Sequence, residues 1–258
     1  MPVAPELLLA KTWTPATNPT GYWMSEKLDG VRAYWTGSDF ISRLGNVFHA
    51  PDWFKERLPK DVSLDGELWM ERGSFQLLVG TVKRHEPNEN WKKIRYLVFD
   101  CPFVNHGFER RMEILKHLVF EKYQSDHLKF CRQKKCQGLS HVYSTLDATI
   151  EIGGEGLMLR EPESLYVGKR SSTLLKVKKF LDAEAVVIGH QPGKGKHVGR
   201  LGALICKLPD GTEFDIGTGF TDLERENPPK IGSIVTVKFQ ELTKDGCPRF
   251  PSYWRNDV

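Results

Sequence analysis

The chain has 258 residues and a mass of 29.5 kDa, with 40% hydrophobic and 27% charged residues. That balance belongs to an ordinary folded protein and excludes disorder, collagen-like repeats and coiled coil as its main class. Net charge is 37 − 33 = +4, mildly basic, and no apolar run approaches the roughly 20 residues that span a bilayer.

In chain order, Gly21–Leu28 is aromatic-rich and strand-like, Asp29-Gly30 is a turn signal, and Val31-Arg32-Ala33-Tyr34-Trp35 resumes as a strand. Further strands are predicted at Ser63–Trp69, Ile94–Cys101, Gly156–Arg160 and Leu174–Lys178. Helices are predicted at Pro51–Leu58, Ser74–Val82 and Glu109–Tyr123. The last has Met112, Leu115, Val119 and Tyr123 spaced as one apolar stripe. Strands crowd without regular strand–helix alternation, so the first part reads as α+β rather than doubly wound. After Asp182 the texture changes to short strands at Ala185–Gly189, Leu201–Leu208, Glu213–Ile216 and Ser233–Leu242, with a short helix at Thr221–Glu226. Such a run predicts a small all-β barrel of oligonucleotide-binding type over 183–258, following an α+β domain over 1–182.

Charge is uneven between the two parts. Residues 183–258 hold 10 basic and 10 acidic side chains, so the whole excess lies in 1–182. Residues 110–135 carry eight basic against three acidic side chains, and 169–179 carry five basic and no acid. A solvated face is the plain reading of such runs; a polyanionic partner is the other.

The decisive segment is Glu26-Lys27-Leu28-Asp29-Gly30-Val31-Arg32. Alone, a lysine, an Asp-Gly turn and an arginine describe a surface hairpin. Here companions follow in order: Ser42-Arg43-Leu44-Gly45-Asn46, Asp65-Gly66-Glu67, Phe99-Asp100, Glu155-Gly156 and Lys176-Val177-Lys178. Together these resemble the ordered motifs of the covalent nucleotidyltransferases, which include DNA ligases, RNA ligases and mRNA capping enzymes. The resemblance is closest to the minimal ATP-dependent DNA ligases of bacteria, and extends to Asp182–His190, Pro192-Gly193-Lys194-Gly195-Lys196, Ile216–Phe220 and Pro248–Ser252.

The resemblance implies a nucleotidyltransferase (adenylation) domain followed by an OB-fold domain. It also implies an ATP-dependent ligase that seals 5′-phosphate/3′-hydroxyl nicks through a lysyl-AMP and an adenylated 5′-phosphate. Lys27 is the expected nucleophile. A free lysine is almost wholly protonated near neutral pH, and Mg²⁺ (or Mn²⁺) with Lys176, Lys178 and Arg32 would favour the neutral amine. Glu67 and Glu155 match the acidic motifs that hold the metal, Glu67 also the ribose contact, and Phe99 the aromatic that stacks on adenine. Glu26 would help place the base, partly through its backbone. Arg32 and Arg43 match nick-phosphate positions, where guanidinium forks suit phosphate. Arg249 and Arg255 match residues that orient pyrophosphate, although the chain ends in Asn256-Asp257-Val258 where relatives often carry further basic residues.

The expected partner is nicked duplex DNA, bound by a monomer through its phosphate backbone, with no membrane involvement. An RNA ligase or a capping guanylyltransferase shares the lysine chemistry and is the alternative; an inactive nucleic-acid-binding remnant is a third reading. His127, Cys131, Cys136 and His141 are spaced by 4, 5 and 5, looser than a zinc knuckle, and read as structural or free. The run Glu6–Ala10 lacks the basic leader of an export signal. Five cysteines without a disulfide pattern favour a reducing compartment, with the periplasm following only if an export signal has been removed.

Overall fold

The computed structural model of the chain describes residues 3–60, 62–179, 181–239, 241–243 and 245–256. Side chains of Glu241, Arg255 and Asn256 lie outside the described set, as do Phe180 and Asp257-Val258. The chain separates into two compact units, Met1–Lys178 and Lys179–Val258, a division four residues ahead of the expected 182.

Unit one is built on two sheets. One takes β1 (Leu9–Thr12), β2 (Trp23–Lys27), β9 (Lys134–Lys135), β10 (Gly156–Arg160) and β11 (Arg170–Val177) in the order β1-β11-β10-β2-β9. The other takes β3 (Val31–Trp35), β4 (Phe40–Ile41), β5 (Val47–Phe48), β6 (Leu64–Trp69), β7 (Arg95–Asp100) and β8 (Leu128–Phe130) in the order β5-β4-β3-β6-β7-β8. The Asp29-Gly30 turn therefore does not close a hairpin: β2 and β3 it joins belong to different sheets. Helices α1 (Asp52–Lys55), α2 (Phe75–Val82) and α3 (Phe108–Lys116) accompany the second sheet, whose core gathers Trp35, Phe40, Phe54, Trp91 and Tyr96. A second core lies under the first sheet, where Met24, Leu157, Leu159 and Leu175 meet Val142 and Leu146 of α4 (Leu139–Glu151). That 13-residue helix was not predicted; His, Ser and Thr dilute its apolar spacing. The predicted helix at 109–123 forms as α3 and then widens into π-helical turns over His117–Tyr123, keeping Met112, Leu115 and Val119 buried.

Unit two is all β, with β12 (Leu181–Pro192), β13 (Leu201–Lys207), β14 (Glu213–Ile216), β15 (Ile234–Phe239) and β18 (Ser252–Asn256) in one antiparallel sheet of order β14-β13-β12-β15-β18. The strands β16 (Glu241–Leu242) and β17 (Pro248–Arg249) pair separately, and α5 (Asp222–Glu226) starts on a Thr221–Glu224 capping box. The two edges of the sheet approach each other past β14. There the Thr218 carbonyl accepts from the Tyr253 N–H at 2.9 Å, and Phe220 stacks on the Tyr253 ring at 4.6 Å. Gly219 sits between them at φ +93°, where a Cβ would fall 2.2 Å from the Tyr253 carbonyl oxygen. Only glycine allows this closure.

All five cysteines are free. Burial pushes the thiols of Cys101 and Cys131 up to about 12 and that of Cys206 up to about 11; Cys136 is buried and Cys247 half-buried. Since the thiolate is the reactive form, labelling the native protein with a maleimide at pH 8 is expected to modify Cys247 quickly and the other four only after denaturation. Rapid native labelling of two or more sites would contradict this burial.

Candidate active site

The gap between the two sheets of unit one is a cavity of about 360 Å³. Ser25, Glu26 and Lys27 of β2 line its wall together with Leu28, while Met24 turns into the core under α4. Gly156 pairs with Lys27 across β2–β10, and Lys176 of β11 pairs with Met158 of β10. From the second sheet come Arg32 on β3, Glu67 on β6 and Phe99 on β7, while Arg43 reaches the rim from the β4–β5 turn.

Lys27 and Lys178 both pair with Glu155, one on each carboxylate oxygen. Burial raises the Glu155 pKa, but the two ammonium groups outweigh it and hold the carboxyl below its ordinary value. Lys176 stands beside this cluster unpaired by a carboxylate among the described residues. Burial and its neighbours Lys178, Lys27 and Arg170 bring its pKa down. Glu67 goes the other way: burial pushes it up to about 8 against the pull of Lys27 and Arg32. Arg32 forks onto Asp65 with Nε–Oδ1 at 3.0 Å and Nη2–Oδ2 at 2.6 Å, and lies 5.5 Å from the Phe99 ring centre.

The Asp-Gly turn has a steric reason. A Cβ on Gly30 would fall 2.5 Å from the Leu68 carbonyl oxygen and 2.6 Å from Glu67 Cγ. Gly30→Ala is therefore expected to displace Glu67 and slow any chemistry in the cavity roughly 100-fold, the scale of a 1 Å misplacement. The check is the rate of the first half-reaction beside a melting curve; an unchanged rate would show that Glu67 tolerates the shift.

Several residues of the site were not singled out from sequence. Tyr166 donates its hydroxyl to Asp65 at 2.7 Å. Asp100 receives Arg111 (Nε–Oδ1 2.6 Å, Nη2–Oδ2 3.1 Å) and Arg160 (Nη2–Oδ2 3.0 Å). Arg72, from the loop after β6, holds the Glu26 carboxylate at 2.8 and 2.7 Å, so the Glu26 side chain is already engaged. Asp65 and Asp100 did stand inside quoted motifs; Tyr166 and Arg72 carried no local signal.

The predicted basic face at 110–135 loses Arg111, which is fully buried on Asp100; the other seven basic residues there are exposed or half-buried. Arg249 sits on β17 in unit two, and its guanidinium lies 5.4 Å from the Phe250 ring. Arg255 is on β18, with its side chain outside the described residues. His127 bonds the Ile94 carbonyl, Cys136 the Gly138 carbonyl and His141 the Gln137 N–H, while Cys131 lines the cavity. Among the described residues no three His, Cys, Asp or Glu side chains gather as metal ligands.

Comparison with known proteins points to one family. A family model described as an ATP-dependent DNA ligase domain matches residues 9–178, and one described as a DNA ligase OB-like domain matches 192–256. A DNA ligase of Haemophilus influenzae is 39% identical over 236 residues, covering 91% of this chain and 86% of that protein. A solved structure from a study of Lig E DNA ligases, which bind DNA with a minimal scaffold, superposes with a TM-score of 0.85 at 40% identity. It covers 97% of this chain and 98% of that one. The Chlorella virus DNA ligase-adenylate shares the fold at a TM-score of 0.59 and 24% identity over 99% of both chains. No described helix is long and apolar enough to cross a membrane.

Proposed function

The chain belongs to the family of ATP-dependent DNA ligases, whose members use ATP and a divalent metal to seal nicks, and from that membership we propose how its residues divide the work. The observation that carries the assignment is convergence: Lys27, Arg32, Glu67, Phe99 and Lys176 reach one cavity from five different strands.

Lys27 attacks the α-phosphorus of ATP, the bond to the β-phosphate breaks, and pyrophosphate leaves behind a lysyl-AMP. Glu155 aims the amine and is too acidic, between two ammonium groups, to serve as its base. Lys176 and Lys178 face the phosphate from the same sheet and offset the charge that builds on it. Phe99 offers a face for the adenine, Glu67 reaches the ribose, and Glu26, with its carboxylate spent on Arg72, contributes through its backbone. Arg32 and Arg43 take phosphates of the nick, and Arg249 and Arg255 act on pyrophosphate during self-adenylation. Two carboxylates, Glu67 and Glu155, fit a hard cation that keeps several waters, and Glu67, whose pKa burial and then the neighbouring Asp65 and Glu155 carboxylates raise, is the group whose ionised form such a cation would favour. When bound, the ion supplies charge neutralisation at the phosphate oxygens.

We take the acting species to be one chain with Mg²⁺ on one nicked duplex. The free thiols support a reducing compartment. The division into an adenylation domain and an OB domain follows the two compact units. RNA ligation and capping are not favoured, because the matching families and relatives are DNA ligases. The test is intact mass after ATP and Mg²⁺, then addition of nicked DNA, nicked RNA or hybrid duplex. An AMP-sized adduct discharged fastest by nicked DNA is expected. An adduct formed only with GTP, or discharged only by RNA, would replace the reading.

A further inference from the structure

Asp65 and Asp100 are cross-strand partners on β6 and β7. Each holds an arginine that lines the cavity: Asp65 holds Arg32, and Asp100 holds Arg160. Arg160 is only 5% exposed. Its Nη2 is on Asp100, and its Nε donates to the Ser164 hydroxyl at 3.1 Å. Its Nη1 has no partner among the described residues. It is not sealed from solvent either, for the enclosed and unpartnered side-chain atoms there are Trp91 Nε1 and His197 Nδ1. That nitrogen therefore keeps a free N–H that is not sealed away, on a residue that lines the cavity.

The charge around it does not balance. Arg111, fully buried, spends Nε and Nη2 on Asp100 and Nη1 on the carbonyls of His106 and Ser164. One carboxylate thus serves two guanidinium groups, and the Phe108 ring beneath them, at 5.6 and 4.8 Å, offers only its π face. A buried surplus cation is costly unless an anion meets it. Along β10, Arg160 lies four residues beyond Gly156, the partner of Lys27, or about 13 Å at strand rise. Lys27 points instead to Glu155, so the phosphate bonded to it stays at the opposite end.

We propose that Arg160 is a further substrate-binding residue, donating Nη1–H to a phosphate oxygen of the nicked strand beside the phosphate held by Arg32. This rests on the ligase reading above. The shared chemistry is a phosphate oxygen, which either the nick or ATP can supply, and the two sources act in different steps.

The test uses a chemically pre-adenylated nick in which the phosphates flanking the break are replaced, one at a time, by uncharged methylphosphonate. Wild type is expected to lose roughly 10- to 100-fold in single-turnover sealing at the contacted position, the scale of a charged hydrogen bond. In Arg160→Gln, whose Asp100 keeps Arg111, the same replacement is expected to cost little, and Arg160→Lys should fall between. Because each ratio is taken within one variant, a general loss of stability cancels. Equal penalties in wild type and both variants at every position would overturn the proposal, as would a defect confined to self-adenylation, which would give the contact to ATP. If neither variant forms the AMP adduct, Arg160 is structural and the proposal falls. Failure of wild type to seal the unmodified pre-adenylated nick would sink the ligase reading itself.

Discussion

Lys27→Ala is expected to abolish the AMP adduct and lower sealing from ATP by at least about 10⁴-fold, the order seen when a nucleophile is removed, while sealing of a pre-adenylated nick survives. The contrast follows from position. Lys27 ends β2 on the cavity wall and pairs with Glu155, so on the proposed reading its loss removes the attacking nitrogen. Arg32, Arg43 and Lys176, the proposed phosphate contacts, line the same cavity and are left in place. Lys27→Arg separates charge from nucleophilicity: it keeps the pair with Glu155 and should be as inactive toward ATP as the alanine variant. Substantial adduct formation by either variant would move the nucleophile to Lys176 or Lys178. Peptide mapping of the adduct would show which.

The second large effect is on stability. Asp100→Ala is expected to cost about 3–5 kcal/mol, the range for breaking a buried ion pair from one side. Asp100 is 2% exposed and compensates Arg111 and Arg160, at 0% and 5%, so both guanidinium groups would remain buried without a carboxylate. Over a unit of this size that is a fall of roughly 6–20 °C in the melting temperature, carried by the first unit alone. A scan should then show two transitions where wild type shows closer ones, since the second unit has its own core and shares none of these groups. Arg160→Gln is the control, because Arg111 still satisfies Asp100 and the loss should be much smaller. A shift below about 2 °C for Asp100→Ala would mean that water reaches the arginines readily and that they carry no surplus buried charge.

Much of the site could be read in the sequence because motifs are local. Lysine, turn, glycine and arginine fall within seven residues. Acidic and aromatic companions follow in short motifs within or beside strands: Glu67 in β6, Phe99 in β7 and Glu155 just ahead of β10. The all-β second unit announced itself by short strands between Gly- and Pro-containing turns, with one short helix read at Thr221–Glu226. The resemblance carried by those motifs supplied the expected roles, and the geometry added two contacts that fit them: Gly30 leaves room for Glu67, and Glu155 pairs with Lys27.

What the sequence could not order was pairing at a distance. Asp65 meets Arg32 across 33 positions, Arg160 meets Asp100 across 60, and Tyr166 meets Asp65 across 101. Each depends on strand register, and between Asp65 and Gly66 the β6–β7 register itself slips by a bulge. Periodicity shows which face a residue takes but not which strand lies opposite, since a one-residue slip reverses every side chain. The same limit hid β1, which pairs in parallel with a strand some 160 residues later, and turned Arg111 from an apparent surface charge into a buried one. Sequence alone therefore determined the chemistry available at Lys27 and the two-part plan of the chain. Only the tertiary structure decided which arginines line the cavity and which are consumed within, because that depends on the desolvation each charge meets once the two sheets close around it.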